Sequence, residues 1–166
     1  MELSFLDKRE CERVLPLLFD ILHQNMSVIA PTGASYEEDR AEWLGAVLPA
    51  MQKEPRQIIL MRNGDDLAGY FQYYVYNGVF MVEEIQIKPV YQRTALLLRL
   101  CRFLCDVIPR DTQCIEAYAH KKNRNSQSVI GALGMACIGE NKNGNSWHYR
   151  GEVTPLFARF EKKEST

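Results

Sequence analysis

The dipeptide Asn77-Gly78 constrains this chain more than any other feature. It lies between residues 67–76, a long run rich in Tyr, Phe and Val, and residues 79–87, a run that pairs back on it. A two-residue loop that matches strand twist needs positive φ at both positions, and Asn-Gly adopts this at little cost. The two runs therefore read as one hairpin. Asn63-Gly64-Asp65 marks a second tight turn, after a strand at 57–61, so residues 57–87 form an antiparallel meander. The texture then changes. Residues 88–93 are a loop, and 94–108 are helical, with Arg99, Arg102 and Asp106 on one polar face and Pro109 at the end. Residues 114–119 return to a strand. A strand–helix–strand unit requires parallel strands and a right-handed crossover.

The flanking segments read in the same way. A short strand at 3–6 leads to Asp7, an N-cap with Glu10 three residues on. The helix that follows carries Val14, Leu17, Leu18, Ile21 and Leu22 on one face, and Pro16 is expected to kink or break it. After a loop at 31–33, Ser35 with Glu38 opens a second helix carrying Trp43, Leu44, Val47 and Leu48. Pro49 is expected to kink that helix or end it early, and Pro55 closes the segment. Residues 125–133 form a further helix ended by Gly134. Strands at 135–139 and 147–150 are joined by a polar turn at 141–145. The expected fold class is α/β (α+β): one mixed, mostly antiparallel sheet with a single parallel crossover and helices on both faces. Residues 1–160 read as one domain and 161–166 as a charged, frayed tail.

Composition narrows the function. The chain has 166 residues, 46% hydrophobic and 25% charged, enough for a core without staples. Its 20 basic and 21 acidic residues nearly cancel, which argues against nucleic acid as a general partner. The most apolar stretch, 95–104, is interrupted by Arg99 and Arg102, so no membrane span is expected. The N-terminus has no secretory pattern, and the 5 cysteines have no framework spacing. Together they imply a reducing, cytoplasmic setting. His23, His120 and His148 are far apart, and no Cys/His pairs carry zinc spacing, so no metal is expected. Neither GxGxxG nor a P-loop occurs.

In open sheets, ligands bind beyond the carboxyl ends of parallel strands. Here that place is residues 87–97. The helix start offers free backbone N–H groups, none lost to proline between Gln92 and Leu97, and Arg93 adds a positive charge. Such a combination suits phosphate, and the alternative is an ordinary helix start that binds nothing.

The segment Ile85-Gln86-Ile87-Lys88-Pro89-Val90-Tyr91-Gln92-Arg93-Thr94-Ala95-Leu96-Leu97 resembles the central motif of the GNAT superfamily of N-acetyltransferases. Asn123-Arg124-Asn125-Ser126, continued through Ile130 to Leu133-Gly134-Met135, is similar to its second acetyl-CoA motif. The order of elements matches over residues 3–150. The resemblance implies acetyl-CoA in a V-shaped opening between the strands at 79–87 and 114–119. It also implies a cofactor-binding set of Ile85, Gln86, Ile87, Gln92, Arg93, Thr94, Ala95, Leu96, Leu97, Asn123 and Ser126. The family's phosphate loop runs Q/R-x-x-G-x-G/A. Gln92 fits its first position, Ala95 replaces its first glycine and Leu97 its final small residue.

The activity so implied is direct transfer of acetyl from acetyl-CoA to a primary amine of a small molecule or protein, in a ternary complex. Freeing a lysine-like amine of pKa ~10.4 at pH 7 costs about 4–5 kcal/mol, so a proton acceptor is needed. Glu84 is the first candidate and Glu83 the second, since neighbouring strand residues face opposite ways. His120 is a third. The resemblance assigns the oxyanion bond to the N–H of Ile87 or a neighbour, and pairing with the pantetheine arm to the main chain of Ile85 and Ile87. The tyrosine that protonates the thiolate in many relatives is Ile130 here, which leaves Tyr118, Tyr149 or water. Glu37, Glu38, Asp39 and Glu42 would give an acidic wall suited to a cationic amine, although acidic residues also stabilise helix starts. The alternative is a catalytically inactive module of the same fold that binds a ligand or partner. The expected assembly is a monomer or homodimer.

Overall fold

The computed structural model describes residues 1–53 and 55–160; the charged tail at 161–166 lies outside them. Among the described residues, seven strands form one sheet in the order β1-β2-β3-β4-β5-β7-β6. β4 (Val79–Ile87) and β5 (Cys114–His120) run parallel, from Val79 opposite Cys114 to Val82 opposite Ala117. The pairs β1–β2, β2–β3, β5–β7 and β6–β7 are antiparallel. The fold class is therefore mixed, mostly antiparallel, with one parallel pair.

The chain divides into two compact units, Met1–Tyr74 with Glu84–Gln92, and Val75–Glu83 with the chain from Arg93 onward. The first holds β1 (Glu2–Phe5), α1 (Cys11–Ile29), α2 (Tyr36–Lys53), β2 (Gln57–Asn63) and most of β3 (Asp66–Tyr76). Its core includes Leu15, Leu18, Met51, Ile58 and Tyr70, and Trp43, Leu44 and Leu48 pack against it. Pro16 does not break α1, and α2 continues past Pro49 to Lys53. An interior proline costs about 3 kcal/mol. Leu15 and Leu18 are completely buried beside Pro16, each contributing about 1.5–3 kcal/mol, so packing outweighs the lost bond. The Ser35–Glu38 capping box forms reciprocally: Ser35 Oγ accepts from Glu38 N at 3.2 Å and Glu38 Oε2 accepts from Ser35 N at 2.8 Å. The expected Asp7–Glu10 box does not form. Asp7 instead accepts from Arg9 N at 2.9 Å and caps a single 3-10 turn ahead of α1, while Glu10 pairs with Arg13.

The second unit holds α3 (Leu96–Val107), β5, α4 (Arg124–Ala132), β6 (Ala136–Glu140), β7 (Ser146–Glu152) and α5 (Thr154–Phe160). α3 begins two residues later than expected, behind an Ala95 cap. α5 is an addition. Its seven residues are too few to show a helical period, and the buried Leu156 holds it in place. At the hairpin, Asn77 (φ 48°) and Gly78 (φ 73°) are both left-handed, as the turn requires.

Candidate functional site

Glu84 lies on β4 with both carboxylate oxygens engaged. Trp43 Nε1 donates to Oε1 at 3.3 Å, and the Tyr70 hydroxyl donates to Oε2. Tyr70 is completely buried. Burial first, and the Glu84 charge second, hold its hydroxyl well above the usual tyrosine range, so it remains a donor. Lys88 N–H donates to Ala68 O at 2.9 Å. Counted from the Asn77-Gly78 turn, Lys88 would face Leu67, so β4 carries one residue more than β3 over this stretch. Strict alternation therefore does not run the length of β4.

The end of β4 is tied down by side chains. The Ile87 carbonyl accepts from Asn25 Nδ2 at 3.1 Å and from Gln92 Nε2 at 2.9 Å, which uses both lone pairs. Asn25 Nδ2 also donates to Gln86 Oε1 at 3.0 Å. Asn25 thus gathers Gln86, Ile87 and Gln92 into one cluster, a link no local sequence pattern announces. Gly69 makes this approach feasible: a Cβ there would stand 2.3 Å from Gln86 O and 3.0 Å from the Ile87 Cα. Beyond the strand, Lys88 Nζ pairs with Asp66 at 2.6 Å and Tyr91 OH donates to the same carboxylate at 2.9 Å. These partners, Lys88 foremost, hold the Asp66 carboxyl below its usual range.

In the second unit, the turn into α3 brings together Arg93, Thr94, Ala95, Leu96 and Leu97. Arg93 is exposed, adopts φ 62°, and has no ionic or hydrogen-bonding partner among the described residues. Thr94 Oγ1 accepts from Leu96 N at 3.3 Å. The first helical bond is Arg99 N to Ala95 O at 3.0 Å, so the N–H groups of Leu97 and Leu98 precede it and lack an intrahelical acceptor. Ala95 sits at φ −69°, where glycine is unnecessary; the left-handed position belongs to Arg93. Leu96 is buried, and Leu97 is half-buried on the first turn. Asn123 Oδ1 accepts from Ser126 N at 3.1 Å, which joins these two residues as the cap of α4.

Several other candidates have structural tasks. His120 Nδ1 accepts from Lys122 N at 3.2 Å. Glu38 is used in its capping box, and Asp39 accepts from Thr32 Oγ1 at 2.8 Å. Tyr149 is buried, which pushes its hydroxyl pKa up, whereas Tyr118 is exposed. Glu83 is half-buried on β4. One group escaped sequence reasoning, because its members become neighbours only through the β5–β7 register. His148 Nε2 lies 2.9 Å from Glu116 Oε2, Arg150 lies 3.1 Å from Glu116 Oε1, and the Tyr118 ring stacks on His148 at 4.4 Å. Among the described residues, no group of His, Cys, Asp and Glu side chains is arranged to hold a metal ion, and no helix is long and apolar enough to cross a membrane.

No family model matches the sequence, and no curated protein matches it. Solved structures do match in fold. An acetyltransferase from Thermus thermophilus aligns with TM-score 0.69 at 15% identity, covering 92% of this chain and 97% of that one. The PaiA N-acetyltransferase of Thermoplasma acidophilum, in complex with coenzyme A, aligns with TM-score 0.66 at 14% identity, covering 92% and 99%. An aminoglycoside 6'-acetyltransferase type Ii aligns with TM-score 0.64 at 17% identity, covering 92% and 97%. The chain thus has the fold of the GNAT acetyltransferases.

Proposed function

We propose that this protein is an acyltransferase that moves acetyl from acetyl-CoA to a primary amine of a small molecule or protein. The observation that carries the reading is the turn at Arg93–Leu98, with a guanidinium that has no partner among the described residues and two helix-start amides lacking intrahelical acceptors, in a fold shared with a coenzyme A complex. In this reading the amides of Leu97 and Leu98 and the Arg93 charge take the diphosphate. The main chain at Ile85 pairs with the pantetheine arm, while the Ile87 carbonyl, already doubly bonded, leaves only its N–H for the oxyanion. Gln86, Gln92, Thr94, Ala95 and Leu96 shape the strand end and turn, and Asn123 with Ser126 fixes the start of α4. Glu84, kept as an anchored carboxylate by Tyr70 and Trp43, attracts the ammonium and collects its proton through water, with Glu83 as second choice. Release of coenzyme A thiol on mixing with acetyl-CoA and a panel of polyamines, aminoglycosides and lysine peptides tests the reading. Thiol release with at least one amine is the expected result. No release across the panel, with acetyl-CoA bound, refutes it.

The saturated Ile87 carbonyl, to which Gln92 is committed, favours one second reading, a ligand-binding module without catalysis. Calorimetry combined with the thiol assay separates the two: binding without thiol release supports the module.

A further inference from the structure

The proposed transfer needs an amine, and the side chains that adjoin Glu84 select its kind. We infer that the acceptor is a primary amine carried on a short arm from an aromatic ring, and that Trp43, Phe19, Tyr36 and His23 form the wall that holds this ring. The inference rests on the acetyl-transfer reading above and gives its acceptor a chemical class.

All of these residues lie in the first compact unit. Phe19 and His23 stand at i and i+4 on α1, and Tyr36 and Trp43 at i and i+7 on α2, so each helix turns its pair to one face. The two faces meet in a cluster of rings. Phe19 is the hub, with its ring centroid 5.7 Å from His23, 5.4 Å from Tyr36 and 5.8 Å from Trp43. His23 meets Tyr36 edge-on at 5.0 Å. Phe19 is buried and forms the floor. His23 and Trp43 are half-buried and Tyr36 is exposed, so these three still offer ring surface. At the inner end, Trp43 Nε1 donates to Glu84 Oε1 at 3.3 Å. The aromatic surface therefore begins at the carboxylate itself. An ammonium drawn to Glu84 lies beside an indole, whose face attracts cations. A ring on a short arm from that nitrogen packs against the other rings of the wall.

Charge at the outer end disfavours a polycation. Asp20 accepts from the Tyr36 hydroxyl, Asp39 accepts from Thr32, and Glu38 closes its capping box. Glu37 and Arg40 act on the Tyr36 hydroxyl with opposite signs, so their charges offset one another. Glu42 is exposed and, as the neighbour of Trp43, is turned roughly 100° from it around α2. A second or third ammonium would lose hydration here for little return. A sugar-like amine fares no better, because its hydroxyls need polar partners and the wall supplies rings. In the transfer, the ammonium gives one proton through water to Glu84, which passes it to solvent. The amine attacks the acetyl carbon, the C–N bond forms and the C–S bond breaks, and the second nitrogen proton goes through water to the thiolate. The products are the arylalkyl amide, free coenzyme A thiol and one proton.

Steady-state thiol release from acetyl-CoA with 2-phenylethylamine, n-butylamine, spermidine, kanamycin and a lysine peptide tests the class. The kcat/KM for 2-phenylethylamine should exceed that for each of the others by about tenfold or more, the worth of a well-placed aromatic pair. Tyr36→Leu, at an exposed position, should raise the KM for 2-phenylethylamine by about tenfold and that for n-butylamine much less, with the calorimetric affinity for acetyl-CoA unchanged. His23→Leu should act in the same direction. Tyr36→Phe keeps the ring and should hold the KM for 2-phenylethylamine within about twofold of wild type. A kcat/KM for spermidine, kanamycin or the lysine peptide that equals or exceeds that for 2-phenylethylamine overturns the class alone. So does a wild-type KM for 2-phenylethylamine in both leucine variants. A protein that binds acetyl-CoA yet releases thiol with none of the amines overturns both the class and the reading beneath it.

Discussion

Arg93 joins two demands in one side chain. Its left-handed backbone costs about 1 kcal/mol for a non-glycine residue, and its charge, at the start of α3, has no partner among the described residues. Arg93→Ala and Arg93→Gly should therefore weaken acetyl-CoA binding equally by calorimetry, while the glycine variant is the more stable by about 1 kcal/mol in urea unfolding. Tyr70 gives a second test. Tyr70→Phe removes a donor to a carboxylate, worth about 1.5–3 kcal/mol, and should lower stability by that order. Because the folded hydroxyl titrates above its ordinary value, Tyr70 contributes stability that is complete below about pH 10 and is lost as pH rises toward the folded value. Wild-type stability should fall above about pH 10, and the phenylalanine variant should lack that part of the fall. Individual residues of this kind were only partly legible in the sequence. Glu84 stands out as a strand carboxylate beside a motif, but its partners Trp43 and Tyr70 lie far off in the chain and meet it through tertiary packing. His148 and Glu116 carried no signal at all, since neither has a local pattern and register alone joins them.

At the scale of elements, Gly69 and the end of β4 illustrate close approach. With Gln86 O 2.3 Å from where a Cβ would stand, Gly69→Ala must displace backbone and should cost about 1–3 kcal/mol, read as a lower urea midpoint. The acetyl-CoA affinity should fall with it, because the strand end carries the proposed pantetheine contacts. Turn chemistry made most elements readable: Asn77-Gly78 and the Ser35–Glu38 box form as their side chains dictate. Pro16 does not break α1 and Pro49 does not end α2 early, because a proline rule counts one lost hydrogen bond and ignores the buried face on which the helix rests. The extra residue in β4 was invisible for a related reason, since a bulge is chosen by what the sheet packs against rather than by composition.

For the whole molecule, the thiols report on burial in both units. Cys137 alone is exposed, while Cys11, Cys101, Cys105 and Cys114 are buried. Burial, first among the causes, pushes the Cys101 thiol up to about 11. A thiol reagent at neutral pH should therefore label Cys137 quickly and the other cysteines only on unfolding; saturating acetyl-CoA at 100 times its Kd should slow the latter by stabilising the fold about 2.7 kcal/mol. The net charge of −1 gives no general attraction for a polyanionic carrier, so binding must come from local groups. The most direct test follows the backbone amides by heteronuclear NMR during titration with acetyl-CoA. The signals of Ile85, Leu97 and Leu98 should shift together with a single dissociation constant, while those of α5 stay in place. Amides from Ile85 to Leu98 that remain unmoved at millimolar acetyl-CoA would contradict the account.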